Sequence, residues 1–389
     1  MTYYFILGNN PDLSKAEIES ICAHFGIAYV VSYYEDRILI LKTEKTLPIQ
    51  EFNNRLGGTI KIGEILLESK NIECIEKTLL KESERFSDEK KMYFGISLYT
   101  TKIKRKTIAY NALRFKKTIK NERGISSRYV VSKENDLSSV IVKKNKLLSS
   151  GIELCVFYIQ NNYVIGKTLA VQQFEEFSYR DYGRPARDDV SGMIPPKLAR
   201  ILLNLGNIKD AMSILDPFCG SGTIIQEGIL LGYKNIIGSD VSPKAISDTK
   251  ENLEWLSASV HASTESIRLI QSDISELSNY IEKESIDRVI TEPYLGPPLK
   301  GVETPQQIQK IIEDLNRFYK QLFKYILPLV KNDGVLVLIV PEITMHNKSY
   351  EIDISSMVEN TNFHIASDNL SYSRPNQHIK RKIYILNAS

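Results

Sequence analysis

The sequence predicts an α/β protein whose second half is a doubly wound, mostly parallel sheet, preceded by an α+β module. From Ser213 onward, short aliphatic runs alternate with helical patterns, as expected for parallel strands joined by crossover helices. Before that point, short strands and amphipathic helices alternate less regularly. The chain has 389 residues, which is enough for two or three domains.

The first half is predicted to begin with a buried strand and a capped helix. Ser14, with Glu17 three residues later, is typical of a helix start. Apolar alternation and helical spacing predict the remaining elements. The strands are Tyr3–Gly8, Ile27–Tyr33, Arg37–Leu41, Lys91–Tyr99, Ser127–Val131 and Glu153–Ile159, and the helices are Leu13–Phe25, Lys104–Asn121 and Asp136–Lys143.

The second half follows a polar segment that contains Pro185 and is predicted to be a linker. Pro195 and Pro196 then open a helix, as prolines in a first turn do. The last two strands are predicted to form an antiparallel pair at one sheet edge. The strands are Ser213–Asp216, Asn235–Ser239, Ser266–Gln271, Asp287–Thr291, Gly334–Val340, Phe363–Leu370 and Lys382–Leu386, with helices at Thr223–Leu231, Pro243–Trp255 and Pro305–Leu327.

A glycine-containing loop follows the first strand of the second half, with the sequence DPFCGSGT from Asp216 to Thr223. In open α/β sheets, ligands bind outside the carboxyl ends of the strands. Gly220 and Gly222 allow a tight turn and a close approach of backbone to ligand. The loop has neither the GxGxxG nor the GK[ST] pattern, which favours a ligand other than a dinucleotide. Asp240 and Asp273 end the next two strands.

This loop resembles the S-adenosylmethionine loop of class I methyltransferases that methylate exocyclic amines of nucleic-acid bases. The resemblance implies a Rossmann-like fold in which Asp240 binds the ribose hydroxyls and Asp273 the adenine amino group. Asp216 either faces the amino-acid part of the cofactor or only braces the loop. The implied cofactor-binding residues are Asp216, Pro217, Phe218, Cys219, Gly220, Ser221, Gly222, Thr223, Asp240, Val241, Asp273 and Ile274.

The fourth strand ends in Thr291-Glu292-Pro293-Tyr294, whereas these methyltransferases carry Asp/Asn-Pro-Pro-Tyr/Phe. In that motif, a side-chain oxygen and a backbone carbonyl accept the N–H bonds of a poorly nucleophilic aryl amine, and the aromatic ring stacks on the extruded base. Either Glu292 or Thr291 can align with the acid, and Glu292 is preferred because it keeps an acceptor. The predicted catalytic residues are Thr291, Glu292, Pro293 and Tyr294.

The junction between the two halves identifies a narrower resemblance. The segments YRDYGRP (179–185) and MIPPKLARILLNL (193–205) resemble THUMP-domain tRNA methyltransferases that form N2-methylguanosine. This implies a ferredoxin-like N-terminal domain (1–60), a THUMP RNA-binding domain (61–172), a linker (173–190) and a methyltransferase domain (191–389). The implied cofactor is S-adenosylmethionine and the implied partner is tRNA, while an activating protein partner is left open.

The net charge of +3 is unevenly distributed. From Val190 onward there are 20 basic and 23 acidic residues, against 30 and 24 before it. A solvated helix face is the simple interpretation of such lysine runs. The interleaved aromatic residues and the few acids favour a polyanion-binding surface. Its predicted RNA-binding residues are Lys102, Lys104, Arg105, Lys106, Arg114, Lys116, Lys117 and Arg128.

Several classes of protein are not favoured by the sequence. The four cysteines are scattered, and His261, His346 and His378 have no partners at ligand spacing, so neither a disulfide framework nor a metal site is expected. No membrane span or secretory signal is apparent, and a cytoplasmic protein is expected. Three alternative functions remain open: a ribosomal RNA guanine-N2 methyltransferase, a DNA amino-methyltransferase, and a non-catalytic RNA-binding subunit.

Overall fold

The computed structural model describes residues 1–187, 193–260, 263–345, 347–373 and 377–388. Its contacts divide the chain into two compact units. Unit 1 comprises Met1–Asn9, Ile27–Asn54 and Thr59–Phe174, and unit 2 comprises Asn10–Gly26, Arg55–Gly58 and Glu175–Ser389. His261 and His346 lie outside the described residues. Within the described residues, no helix combines the length and the apolar character needed to cross a membrane.

The elements before residue 185 include several long strands and one long basic helix. They are β1 (Thr2–Leu7), α1 (Pro11–His24), β2 (Tyr29–Glu35), β3 (Ile38–Thr43), α2 (Ile49–Arg55), β4 (Thr59–Ser69), α3 (Cys74–Glu82), β5 (Lys91–Leu98), α4 (Arg105–Arg123), β6 (Ser126–Val130), α5 (Ser139–Lys144), β7 (Gly151–Ile159), β8 (Asn162–Val171) and α6 (Phe174–Tyr182).

Unit 1 is built on one mixed sheet with the order β2-β3-β1-β4-β8-β7-β5-β6. Helix α4 packs on this sheet through Ile108, Phe115 and Ile119, which recur at helical spacing and are buried. Gly124 ends the helix in the left-handed conformation (φ 70°), where the absence of a Cβ atom removes the steric cost. The basic residues of α4 are therefore kept on its solvent side.

The remaining elements alternate between strands and helices as the sequence predicts. They are α7 (Pro196–Leu205), β9 (Ile214–Asp216), α8 (Thr223–Leu230), β10 (Ile236–Asp240), α9 (Pro243–Val260), β11 (Arg268–Gln271), β12 (Ile286–Thr291), α10 (Pro305–Ile326), β13 (Val330–Met345), β14 (Lys348–Tyr350), α11 (Ile354–Val358), β15 (Phe363–Tyr372) and β16 (Ile379–Ala388).

The sheet of unit 2 has the order β11-β10-β9-β12-β13-β16-β15, with β14 paired to β13. Strands β9 to β13 are parallel to one another, and β16 is antiparallel to both β13 and β15. The strand order reverses between β9 and β12, where open α/β sheets form ligand crevices. The predicted α/β fold and the predicted antiparallel edge pair are both confirmed.

Three features differ from the sequence-based expectations. The boundary expected near residue 60 does not separate two sheets, because β1 and β4 pair directly. Helix α1 groups with unit 2 although β1 and β2 on either side of it group with unit 1. The predicted linker 173–190, of which 188–190 lie outside the described residues, contains helix α6, which buries Phe177 and Arg180. The apolar face of α6 was hidden by its polar composition.

Candidate active site

The loop after β9 turns through two left-handed glycines, Gly220 (φ 52°) and Gly222 (φ 81°). The Gly222 N–H donates to the Cys219 carbonyl oxygen at 2.8 Å, which closes the turn. A Cβ atom at Gly222 would lie 2.8 Å from Cγ2 of Thr249, so a side chain is excluded by both conformation and space. The loop then passes into α8 with its backbone exposed to the cavity.

Asp240, at the end of β10, connects two backbone segments. Its Oδ2 accepts a hydrogen bond from the Gly220 N–H at 3.0 Å, and its Oδ1 accepts one from the Ser242 N–H at 2.9 Å. A carboxylate has about four lone-pair sites, so acceptor capacity remains on both oxygens. Asp240 can therefore brace the glycine loop and still bind hydroxyl groups of a ligand.

Helix α9 holds the same loop from the other side. The Asn252 amide donates to the carbonyl oxygens of Ser221 and Ala186, both at 2.9 Å. The Thr249 hydroxyl donates to the Gly220 carbonyl oxygen at 2.7 Å. The loop carbonyl and amide groups described so far therefore all have partners in the protein, and the loop is preorganised.

The arginines of the YRDYGRP segment are buried and brace this region. Arg184 donates to the Thr223 hydroxyl at 2.5 Å. Arg180 and Arg200 both pair with the buried carboxylate of Glu227, at 2.6 and 2.5 Å. These contacts support a positioning role for Arg180 and Arg184 at the start of α8, because neither side chain is presented to solvent.

Asp216 couples the ends of β9 and β12. Its Oδ1 accepts hydrogen bonds from the Thr291 hydroxyl at 2.7 Å and from the Phe218 N–H at 3.3 Å. Burial, with a smaller contribution from the nearby charges of Asp240 and Glu292, raises the pKa of Asp216 to about 7. Thr291 is itself buried. Its hydroxyl donates its hydrogen to Asp216, and the catalytic role predicted for Thr291 stays a prediction.

Glu292, the next residue, lines the cavity and forms an ion pair that the sequence did not predict. The Arg381 Nε donates to Glu292 Oε1 at 2.5 Å, and the two side chains are 15% and 13% exposed. Thr291 faces the interior while Glu292 faces the cavity, which favours the alignment in which Glu292 replaces the acid of the amine motif.

Tyr294 lies at the mouth of the cavity with 54% of its surface exposed. Its ring contacts Phe318 edge-on (6.2 Å between centroids), and Phe318 contacts Phe218 of the glycine loop (5.6 Å). The Tyr319 hydroxyl lies 3.4 Å from the Tyr294 carbonyl oxygen and 3.2 Å from that of Ile339. Helix α10 therefore connects the loop to the Tyr294 segment.

One cavity of about 780 Å³ brings most predicted site residues together. It is lined by Asp216, Phe218, Cys219, Gly220, Ser221, Thr223, Asp240, Glu292, Pro293 and Tyr294. Sequence reasoning missed Met193, Ile194, Gln377, His378 and Arg381, which also line it. The PKLAR motif that follows Met193 was a usable signal for that side of the cavity, whereas Arg381 had none.

Other predicted cofactor residues do not line the cavity: Pro217, Gly222, Val241, Asp273 and Ile274. Asp273 instead accepts hydrogen bonds from the Ser275 N–H (2.9 Å) and hydroxyl (2.6 Å), and caps a short 3-10 turn. These bonds lower its pKa. The assignment of Asp273 and Ile274 to adenine stays a prediction.

The predicted RNA-binding residues divide into two groups. Arg105 donates to the carbonyl oxygens of Lys133 (2.6 Å) and Ser132 (2.5 Å), and Arg114 pairs with Glu76 at 2.9 Å. These two guanidinium groups are thus engaged within unit 1, which the sequence did not predict because the partners are distant along the chain. The exposed group comprises Lys102, Lys104, Lys106, Lys116, Lys117 and Arg128, here called the basic surface.

The fold agrees with comparisons to known proteins. The family model described as UPF0020, RMKL-like, methyltransferase domain, matches residues 184–370. A probable tRNA (guanine(10)-N2)-dimethyltransferase of Methanothermococcus thermolithotrophicus is 30% identical over 142 residues, which are 36% of this chain and 77% of that protein. The chain belongs to the tRNA guanine-N2 methyltransferase family.

A second member of this family, the tRNA (guanine(10)-N2)-dimethyltransferase of Methanothermobacter thermautotrophicus, is 33% identical over 139 residues. The match spans 36% of this chain and only 38% of that protein. The crystal structure of TrmN from Thermus thermophilus shares the fold over the full length of both chains, with a TM-score of 0.57 and 14% identity. Membership of the family confirms the predicted methyltransferase class and its cofactor, S-adenosylmethionine.

Proposed function

We propose that this chain transfers a methyl group from S-adenosylmethionine to the exocyclic N2 amine of a guanosine in tRNA. The observation that carries the proposal is the shared cavity, in which the glycine loop and Asp240 face Glu292, Pro293 and Tyr294. A cofactor site and an amine pocket must adjoin for direct methyl transfer, because the two reacting atoms have to meet at about 3–3.5 Å.

The residues of the cavity fit S-adenosylmethionine. Asp240 keeps acceptor capacity for two ribose hydroxyls, and the glycine loop offers backbone that a ligand can approach closely. A volume of about 780 Å³ is within the range for cofactor sites. When bound, S-adenosylmethionine would supply an electrophilic sulfonium methyl group for the N2 amine, with the neutral thioether as leaving group.

Residues of the β12 end would prepare the amine for this step. The Glu292 carboxylate accepts an N2–H bond, which localises the nitrogen lone pair toward the methyl group. Tyr294 presents an exposed ring on which a flipped base stacks. The proton that N2 loses after transfer leaves to water, since an N-methylated arylammonium is strongly acidic. Positioning thus supplies most of the rate, with no strong base required.

Two further observations support tRNA as the substrate. The relatives named above are described as tRNA (guanine(10)-N2)-dimethyltransferases. Unit 1 carries the basic surface, whose side chains suit phosphate contacts that give affinity and register but no base identity. We assign unit 1 the THUMP role on this basis. The four cysteines are buried free thiols, which supports a reducing compartment such as the cytoplasm.

The function is tested with tritiated S-adenosylmethionine and three substrates: unmodified tRNA transcripts, ribosomal RNA and duplex DNA. Digestion and identification of the labelled nucleoside should give N2-methylguanosine from tRNA. Label only in ribosomal RNA or DNA would overturn the substrate and keep the chemistry. No label, with cofactor and RNA binding intact, would favour the non-catalytic subunit.

The role of the basic surface is tested separately by RNA binding at several salt concentrations. The Lys116→Ala/Lys117→Ala variant should weaken binding to all tRNAs alike and lower the magnitude of the salt slope by about one to two. Lys283→Ala, which removes an exposed lysine of unit 2, is the charge-loss control. An unchanged slope in the double variant would exclude α4 from the RNA interface.

A further inference from the structure

The Glu292–Arg381 ion pair joins two strands that are not neighbours in the sequence. Glu292 follows β12, while Arg381 lies in β16, where it is in register with Pro341 of β13 and Tyr372 of β15. Both side chains line the cavity, and the Nε–Oε1 distance is 2.5 Å. The contact is therefore positioned by the strands of the sheet and not by a surface loop.

Arg381 differs from the two cations beside it. Lys380 pairs with Glu342 at 3.2 Å, and Lys382 pairs with Glu351 at 2.9 Å, and neither lysine lines the cavity. Of these three consecutive cations, only Arg381 is aimed at the amine pocket, as the alternation of side chains along a strand dictates. The pairing with Glu292 is thus specific to one position of β16.

The charge around Glu292 explains why a cation belongs there. The carboxylates of Asp216 and Asp240 line the same cavity, and Glu292 is close enough to contribute to the raised pKa of Asp216. A third acid in the cavity would meet repulsion from the two already there, and the adjacent Arg381 guanidinium offsets that repulsion.

The length of glutamate creates a second requirement. It has one methylene more than the Asp or Asn of the motif that Glu292 replaces, and so one more torsion that must be ordered. The charge-assisted hydrogen bond from Arg381 Nε to Oε1 restricts this torsion by fixing one carboxylate oxygen. Among the described residues, no hydrogen bond engages Glu292 Oε2, so this oxygen is available to a ligand while Oε1 is held.

We propose that Arg381 is the positioning residue of the amine pocket, holding Glu292 oriented so that its second oxygen accepts the target amine. This assignment rests on the proposed function. Arg381 acts through Glu292 and does not itself need to touch the base. The Glu292–Arg381 pair then replaces, as a unit, the single acid or amide found in the motif of other amino-methyltransferases.

The assignment is tested with Arg381→Ala, Arg381→Lys, Glu292→Gln and the double variant Glu292→Gln/Arg381→Ala. Single-turnover methyl transfer to tRNA and affinity for S-adenosylmethionine are measured for each. Arg381→Ala should lower the rate roughly 10- to 100-fold with cofactor affinity within about twofold. Arg381→Lys should recover part of the loss, and the double variant should be no slower than Glu292→Gln, since positioning acts only through that carboxylate.

Lys380→Ala and Lys382→Ala are matched controls, because each removes a neighbouring ion pair of β16 outside the cavity; both should transfer within about twofold of wild type. The assignment of Arg381 would be overturned, without affecting the proposed function, by a wild-type rate in Arg381→Ala. It would also be overturned if the rate losses of the two single variants multiplied in the double variant. Absence of transfer by the wild-type chain to any RNA would overturn the proposed function, and the assignment with it.

Discussion

The two sides of the cavity are held together in different ways. On the proposed cofactor side, the glycine loop and Asp240 are connected by backbone amides and by helix α9, all within about 40 residues of chain. On the proposed amine side, Glu292 is paired with Arg381, which comes 89 residues later. The first side is braced by local backbone geometry, and the second by one ion pair between distant strands.

This difference predicts that the two sides of the cavity tolerate substitutions to different degrees. Backbone hydrogen bonds require particular φ angles and spacing, so the cofactor side tolerates few changes of sequence. A side-chain pair can be replaced by another arrangement if the acceptor remains in place, and TEPY with Arg381 is such an arrangement. Substitutions on the amine side should therefore change catalysis, whereas those on the cofactor side should change binding.

The largest effect is expected from Glu292→Ala. Removal of the acceptor should lower the methyl-transfer rate on the order of 100- to 1,000-fold, comparable to the loss of one preorganised catalytic hydrogen bond. Cofactor affinity, measured by calorimetry, should remain within about twofold. Glu351→Ala, which removes the partner of Lys382 outside the cavity, is the control and should keep the wild-type rate. Weakened cofactor binding in Glu292→Ala would contradict the separation of the two sides.

Asp240→Ala should weaken cofactor binding, the quantity that Glu292→Ala leaves unchanged. It removes the hydrogen bonds from the Gly220 and Ser242 N–H groups together with the proposed ribose acceptors, so the Kd for S-adenosylmethionine should rise roughly 100-fold. Calorimetry of the RNA-free protein measures this. Asp248→Ala removes another acid that lines the cavity and pairs with the exposed Lys244, and should change the Kd by less than about threefold. Equal effects of both variants would exclude a specific role for Asp240.

Asp216, which links the two sides, should make the free energy of unfolding depend on pH. Burial raises its pKa from 3.8 to about 7 in the folded chain, so the carboxyl is neutral in both states at low pH, and its contribution to stability is lost as pH rises through about 7. The stability of Asp216→Asn relative to wild type should increase by about 2 kcal/mol between pH 5 and 8.

Urea unfolding of both proteins at several pH values checks this difference. Glu17, whose pKa burial also raises to about 7, adds a dependence of the same sign to both proteins and cancels in the comparison. A constant difference between wild type and Asp216→Asn across this range would show that Asp216 is ionised throughout.

The smallest effect is expected at Tyr294. Loss of the exposed ring in Tyr294→Ala should lower kcat/KM for tRNA roughly tenfold, near the lower end of the measured range for base stacking. Tyr294→Phe keeps the ring and should stay within about twofold of wild type. Steady-state kinetics at varied tRNA concentration distinguishes the two. A loss in the Phe variant as large as in the Ala variant would assign the effect to the hydroxyl.

The sequence predicted those elements that are specified by short, continuous patterns of residues. The end of β9, the glycine loop and the antiparallel pair of β15 and β16 follow from short patterns that the structure reproduces. Strand β4 was missed, since its Lys61 is fully buried against Glu153, 92 residues later, and a charged residue hides the strand pattern. Arg381 was missed for the same reason, because only the sheet brings it to Glu292.

The position of helix α1 in the sequence affects how the chain folds during its synthesis. Its Leu13 belongs to the apolar core of unit 2, and its Ser20 hydroxyl donates to the Asn204 carbonyl oxygen 184 residues later, at 2.6 Å. At roughly 5–20 residues per second, the ribosome releases that partner on the order of 10 to 40 seconds after the helix. During this interval the first segment of the catalytic unit has no core to join, and it is available to chaperones and proteases.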